Sequence, residues 1–262
     1  MKRVLREYMI WTYVIFYCFL LLIAIVMNVL KAQMLTNILI ILSAWTSTFV
    51  FIVMFRKINP KGDLREYIKS QFREKIKIST VLWIILIQFS IFLGSLFFTS
   101  IDQNIPIKAQ LATSWSTLLV TFGNHLIRGP LGEELGWRGY VLNELQKKFT
   151  PLKSAIIVGV VWGFWHTPLW FISSGYTGIQ LVQYIICFLI SIVSVSIIMT
   201  VFYNLNHNLV ITMMIHQFFN YFMAIQIGDK LHTFAITTIL YFIVAVVLIL
   251  ISYKKPQIRG LS

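Results

Sequence analysis

Eight long apolar runs, separated by short charged segments, constrain this chain more than any other feature. They are roughly Tyr8 to Asn28, Leu35 to Phe55, Ile78 to Phe98, Ser116 to Glu144, Ser154 to Ile172, Gln180 to Tyr203, Asn208 to Ile227 and Phe234 to Tyr253. A membrane helix needs about 20 mostly apolar residues, and each run is near that length. With 58% hydrophobic and 12% charged residues and a mean hydropathy of +0.80, the solvent for most of this surface is lipid. The expected fold is all-α: a polytopic membrane helix bundle of about eight transmembrane helices. One bundle accounts for the length, so residues 1–262 are expected to form a single transmembrane domain. The first run is too long for a secretory signal and lacks its small-residue cleavage pattern, so it is expected to remain as a membrane helix.

The net charge of +13 does not make this a nucleic-acid binder, because the basic residues sit between apolar runs rather than on one solvated face. They report topology. Seventeen of the 22 Lys and Arg fall in the N-terminus (Lys2, Arg3, Arg6), the second loop, the loop before span five (Lys147, Lys148, Lys153) and the tail (Lys254, Lys255, Arg259). The alternate loops hold only Lys31, Lys108 and Lys230, which places both termini in the cytoplasm by the positive-inside rule. The second loop, Arg56 to Lys77, mixes Leu64, Tyr67, Ile68 and Phe72 with basic residues at helical spacing and reads as an interfacial amphipathic helix serving topology. Cys18 and Cys187 each lie in an apolar run and read as packing residues.

Of the nine acidic residues, Glu133 and Glu134 are adjacent inside span four, in the string Arg128-Gly-Pro-Leu-Gly-Glu-Glu-Leu-Gly-Trp-Arg138. Ionised groups in a span are expensive and mark partners or watery cavities. Pro130 breaks the span, and Gly129, Gly132, Gly136 and Gly139 permit close helix approach, so irregular backbone is expected to line a cavity here. Glu134 and Arg138, four apart, can pair on one helical face, while Glu133 points about 100° away and is free for water or another helix. Span five carries Trp162 and His166, and span seven carries His216 and Asn220 on one face. At about 1.5 Å per residue, Glu133, His166 and Asn220 come out roughly 20 Å from their cytoplasmic ends and His216 about 14 Å, so the four can share one layer. A carboxylate base, an imidazole to orient water, and an imidazole and amide to meet an oxyanion suit peptide-bond hydrolysis. His125 and Arg128, three apart before Pro130, read as a cap on the helix break rather than a polar track.

Three motifs in order, Glu133-Glu134-x-x-x-Arg138, Trp162-x-x-x-His166 and His216-x-x-x-Asn220, resemble those of the CAAX protease and bacteriocin-processing family of intramembrane endopeptidases, related to the type II CAAX prenyl endopeptidases. The resemblance covers spans four to seven, a family-like catalytic core of about 116–227. It departs from the family pattern at Trp162, where Phe is usual, an aromatic exchange expected to keep the pocket wall and narrow it. The resemblance implies that Glu133 activates water with His166, that Glu134 and Arg138 form a supporting pair, and that His216 and Asn220 stabilise the oxyanion. Glu133, His166 and His216 are also candidate ligands for a catalytic zinc, and the sequence leaves open whether the cofactor is zinc or none.

The function expected from these residues is an intramembrane endopeptidase acting on peptide precursors or membrane proteins near the cytoplasmic half of the bilayer. Its partners are then a peptide or membrane-protein substrate and the lipid bilayer, with no nucleic acid. Ile and Lys richness points to a bacterial cytoplasmic membrane, and so to peptide processing or bacteriocin self-immunity rather than prenylated substrates. The alternative is a non-catalytic membrane scaffold or immunity protein that binds a peptide or membrane enzyme and uses the polar cluster only for helix packing. A transporter is a third class, disfavoured because the sequence has no repeated half.

Overall fold

The computed structural model describes residues 3–254; Lys2, Lys255 and Arg259, counted above for orientation, lie outside them, as does the side chain of Lys254. The chain forms a polytopic all-α bundle, and no β-strand occurs among the described residues. Helix α1 (Arg3–Ile25) runs on through a π-helical turn to Leu30, and α2 (Gln33–Ala44) and α3 (Thr46–Ile58) meet at a 54° bend on Trp45. A short α4 (Leu64–Ser70) precedes α5 (Ile78–Gln103). Then follow α6 (Trp115–Ile127), α7 (Pro130–Glu134), a π-helix (Leu135–Leu142), α8 (Asn143–Gln146), α9 (Pro151–Trp165) and α10 (Thr167–Ile172). The last three are α11 (Gly178–Asn206), α12 (Leu209–Ile225) and α13 (Lys230–Lys254).

Four helices are long and apolar enough to cross a membrane unbroken: Arg3–Leu30, Ile78–Gln103, Gly178–Asn206 and Lys230–Ser252, with the bent α2–α3 pair as a fifth. The three remaining apolar runs, of which span four is expected from the sequence to break at Pro130, have a different construction. The fourth breaks at Arg128 and Gly129, the fifth breaks at His166, and the seventh is α12, only 17 residues long. These three carry every residue of the motifs.

The outer helices turn apolar side chains outward: Ile10, Trp11, Val14 and Leu21 of α1, or Leu82, Trp83 and Leu86 of α5, are exposed. Their inward stripe is more polar. Tyr8, Thr12, Phe16 and Leu20 recur every four residues on the buried face of α1, the spacing that places side chains one above another. Between helices, small and polar groups hold the contact, as expected where lipid removes the hydrophobic drive for association. Ser196 donates to the Ala155 carbonyl at 2.8 Å, Ser191 meets Thr238 at 2.8 Å, and Ser95 meets Thr237 at 2.8 Å.

Helix α4 is capped by Asp63, whose carboxylate accepts from the Glu66 amide at 2.9 Å. It is shorter than the amphipathic segment expected from 56–77, and it does more than mark a side of the membrane. The Tyr67 hydroxyl donates to the Gly139 carbonyl in the π-helix at 2.6 Å. Burial pushes the Tyr67 phenol above its ordinary range, so it stays a donor. The Leu209 amide donates to the Gln71 carbonyl, and the Asn208 amide group donates to the Phe72 and Glu74 carbonyls. One surface segment thus grips the end of the π-helix and the start of α12 together.

Candidate active site

The site begins with a broken backbone. Pro130 has no amide hydrogen and opens α7 as its first residue, which ends α6 one turn earlier. Carbonyls released at a break must be satisfied elsewhere, and α2–α3 supplies the donors. The Trp45 indole donates to the Ile127 carbonyl at 2.9 Å, and the Ser47 hydroxyl lies 3.2–3.3 Å from the Glu133 and Gly132 carbonyls. The close approach needs Gly136: a Cβ there would lie 2.3 Å from the Tyr8 hydroxyl and 2.8 Å from the Ser47 Cβ. Beyond Glu134 the chain continues as an eight-residue π-helix, a rare form that tends to occur at functional sites.

Glu134 and Arg138 are fully buried and paired, with Nη1 donating to Oε1 at 2.9 Å. His216 joins them, its Nδ1 donating to the same Oε1 at 2.8 Å. The guanidinium carbon also lies 4.1 Å from the centroid of the Trp162 ring, a cation–π contact inside the bundle. The Glu134–Arg138 pair therefore links the motifs of spans four, five and seven.

Glu133 turns the other way, as the helical offset predicts. Its Oε2 accepts the Trp162 indole N–H at 2.6 Å. Trp162 is thus more than a pocket wall, since the indole supplies a donor that the usual Phe lacks. His166 occupies the break between α9 and α10, and its Nδ1–H donates to the Trp162 carbonyl at 2.8 Å. That bond fixes the tautomer and leaves Nε2 as an acceptor.

His216 and Asn220 converge on the same region beside the Gly129 backbone. A Cβ built on Gly129 would lie 2.9 Å from Asn220 Nδ2 and 3.3 Å from His216 Nε2. The two nitrogens therefore bracket one point beside the Gly129 backbone, and glycine keeps that point open. The sequence spacing could place the pair on one face, but not reveal what faced them.

Two cavities meet at Glu133. A larger one of about 720 Å³ is lined by Glu133, His166, His216 and Asn220, and also by Arg128, Ser173, Tyr176 and Lys230. A second, of about 480 Å³, runs between α1, α2 and α10 and is mostly apolar, with Phe16, Leu20, Met27, Ile40 and Leu169 in its walls. Arg128, Glu133, His166 and Ser173 line both. The structure thus brings Glu133, Glu134, Arg138, Trp162, His166, His216 and Asn220 into one cluster. His125 and Arg128, read from sequence as a cap, contribute side chains to the larger cavity, while the backbone amide of Arg128 closes α6 onto the Asn124 carbonyl.

The zinc candidates do not assemble as a ligand shell. Among the described residues no group of three or more His, Cys, Asp or Glu side chains is gathered so as to hold a metal ion, and one oxygen of Glu133 already serves Trp162.

Comparison with known proteins falls on this same region. Residues 112–222 match the family model of the type II CAAX prenyl endopeptidases, Rce1-like. A protein of Methanococcus maripaludis described as CAAX prenyl protease 2 is 37% identical over 90 residues. That alignment covers 33% of this chain and 33% of the relative, so the chain spans a third of the protein it matches. The matched segment contains both glutamates, Arg138, Trp162, His166, His216 and Asn220, and through it this part of the chain is similar to the CAAX protease family.

Proposed function

We propose that this protein is an intramembrane endopeptidase in which Glu133 activates a water molecule against a peptide carbonyl. The observation that carries the reading is that Glu133 and His166 line the same cavity as the convergent His216 and Asn220 nitrogens. Glu133 takes a proton from water, whose other O–H donates to His166 Nε2. The new O–C bond turns the carbonyl oxygen into an oxyanion, which Asn220 Nδ2 and His216 Nε2 receive. His216 Nε2 donates as imidazolium, with Glu134 as its counter-ion through Nδ1. The C–N bond then breaks as Glu133 returns the proton to the leaving amine.

The indole N–H of Trp162 holds Glu133 in orientation, and Arg138 neutralises Glu134 so that three charged or chargeable groups can share a dry interior. The substrate fits the cavities: backbone and polar groups in the larger, an apolar side chain or tail in the smaller. Of the sources expected from the sequence, bacterial peptide precursors suit this division without requiring a prenyl group, and bacteriocin self-immunity would be one use of such cleavage.

The lining of the larger cavity includes Ser173, Ser174, Tyr176 and Lys230, which belong to the segments poor in basic residues. Under the positive-inside orientation the peptide then reaches Glu133 from the side away from α4, not from the cytoplasmic half expected by counting residues.

The test is cleavage of peptide precursors by the purified full chain in lipid vesicles. Glu133→Gln is expected to lower kcat by roughly 10²–10⁴-fold with folding unchanged. Wild-type rates in that variant would remove Glu133 from the role of base, and no cleavage by the wild-type chain would favour the non-catalytic scaffold instead.

A further inference from the structure

The segment between α3 and α5 is strongly basic, with eight Lys and Arg against three acidic residues over 56–77. Its ends are fixed near the membrane surface, because α3 stops at Ile58 and the α5 span starts at Ile78. Between them, an open cavity of about 450 Å³ runs along α4, lined by Leu64 and Ile68 together with Asp63, Arg65 and Lys69. Two of the three acidic residues are engaged within the segment. Asp63 caps the Glu66 amide, and Glu66 is shared by Lys69 at 2.8 Å and Arg73 at 3.5 Å. Arg65, Lys75 and Lys77 are exposed and form no ion pair among the described residues. Phe72 is 38% exposed beside them, an aromatic ring among cations of the kind that seats a segment in the headgroup layer.

Marking a side of the membrane needs only the charges, but this segment is also bonded to the elements that carry the motifs. The Lys77 amide donates to Asn206 Oδ1 at 3.1 Å, and the Tyr203 hydroxyl donates to Gln71 Oε1 at 3.3 Å. The bonds from Tyr67 to Gly139 and from Leu209 and Asn208 to residues 71–74 complete the attachment. There is little slack in it: a Cβ on Gly139 would lie 3.3 Å from Leu209 Cδ1 and 3.5 Å from Gln71 Oε1. The position of α4 is thereby tied to the π-helix that holds Arg138 and to the helix that holds His216 and Asn220.

We propose that the cavity along α4 binds the headgroup of an anionic phospholipid of the cytoplasmic leaflet, and that occupancy presses the segment onto the π-helix and α12 and raises the activity of the site. Arg65 and Lys69 meet the phosphate, while Leu64 and Ile68 meet the glycerol and first methylenes. A zwitterionic headgroup brings a cation of its own against Arg65 and is disfavoured. The effect on rate rests on the peptidase reading of Glu133; the lipid site does not.

The experiment uses the purified full chain with phosphatidylcholine alone or with phosphatidylglycerol added in steps. Retained lipid is read by native mass spectrometry, hydrogen exchange is followed at residues 135–142 and 209–212, and peptide cleavage is timed in vesicles. The wild type is expected to retain phosphatidylglycerol over phosphatidylcholine, and the double variant Arg65→Gln, Lys69→Gln to bind it roughly 10- to 30-fold more weakly. The pair Lys148→Gln, Lys153→Gln removes the same charge from another loop of that side and is expected to change binding little. Equal retention of the two lipids by the wild type overturns the site, and so does an equal loss in both double variants, which assigns the effect to net charge. Phosphatidylglycerol is expected to slow exchange at both stretches and to raise kcat by roughly threefold or more, with high salt reversing both. In Tyr67→Phe the lipid still binds but the rise in kcat shrinks. Exchange that ignores bound phosphatidylglycerol overturns the coupling. Should the wild type cleave nothing in any vesicle, the peptidase reading fails, and retention and exchange still decide the lipid site.

Discussion

Helices α5 and α13 cross the bundle unbroken and bury little over a quarter of their most apolar stretch, 28% in each, whereas the segment from Pro130 to Leu142 changes helix type within five residues and is almost wholly buried. The two regions meet different solvents. A helix facing lipid must satisfy its own backbone, so it stays regular and apolar outside. A segment enclosed by protein can break, because Trp45, Ser47 and Tyr67 supply the donors its carbonyls have lost. The broken spans are therefore the ones that can hold carboxylates, imidazoles and water together, and the regular spans supply the enclosure.

The largest effect that would break this contrast is expected at Arg138. Removing one member of a buried pair leaves the other charge unanswered, so Arg138→Ala should cost about 3–5 kcal/mol, read as a lowered unfolding temperature in detergent. A change below about 1 kcal/mol would mean that the inner region is as tolerant as the outer one.

Asn220→Ala comes next. Losing one oxyanion donor should reduce kcat by about 10²–10³-fold, with KM and thermal stability near the wild type. An equal loss of stability and activity would assign Asn220 to packing.

A smaller loss is expected in Trp162→Phe, which keeps the aromatic face over Arg138 and removes the N–H to Glu133. A hydrogen bond to a charged group is worth about 1.5–3 kcal/mol, so kcat should fall by roughly 10- to 100-fold while KM changes little. Wild-type kcat would show that the indole bond does not position the base.

The smallest effect sharpens the other side of the comparison. Leu86 is 55% exposed on α5, and Leu86→Ala should stay within about 0.5 kcal/mol in stability, with unchanged cleavage.

Much of the fold was legible because hydropathy alone counts apolar runs, and every run became helix. Their continuity was harder to read. Pro130 announced one break, but His166 sits at another with Pro168 two residues later, and α12 gives no warning that it is only 17 residues long. For the site, four-residue spacing sufficed for the Glu134–Arg138 pair, since both partners lie on one segment. It could not show that His216 donates to the same Glu134 oxygen, or that Trp162 reaches Glu133, because those bonds join residues 82 and 29 positions apart. Arg128 was readable only as a helix end, since its side-chain direction depends on what surrounds the break.

The sequence by itself determined that this chain lives in a membrane, that it is helical, and which polar residues had to find company there, because burying a charge in lipid is prohibitive unless it is answered. Only the tertiary structure decided how they are answered. The Glu133 carboxylate goes to an indole and two cavities, the Glu134 carboxylate to Arg138 and His216, and glycine at 129 keeps the space beside it open. Distances between helices are set by packing across the whole bundle, and no local run of residues encodes them.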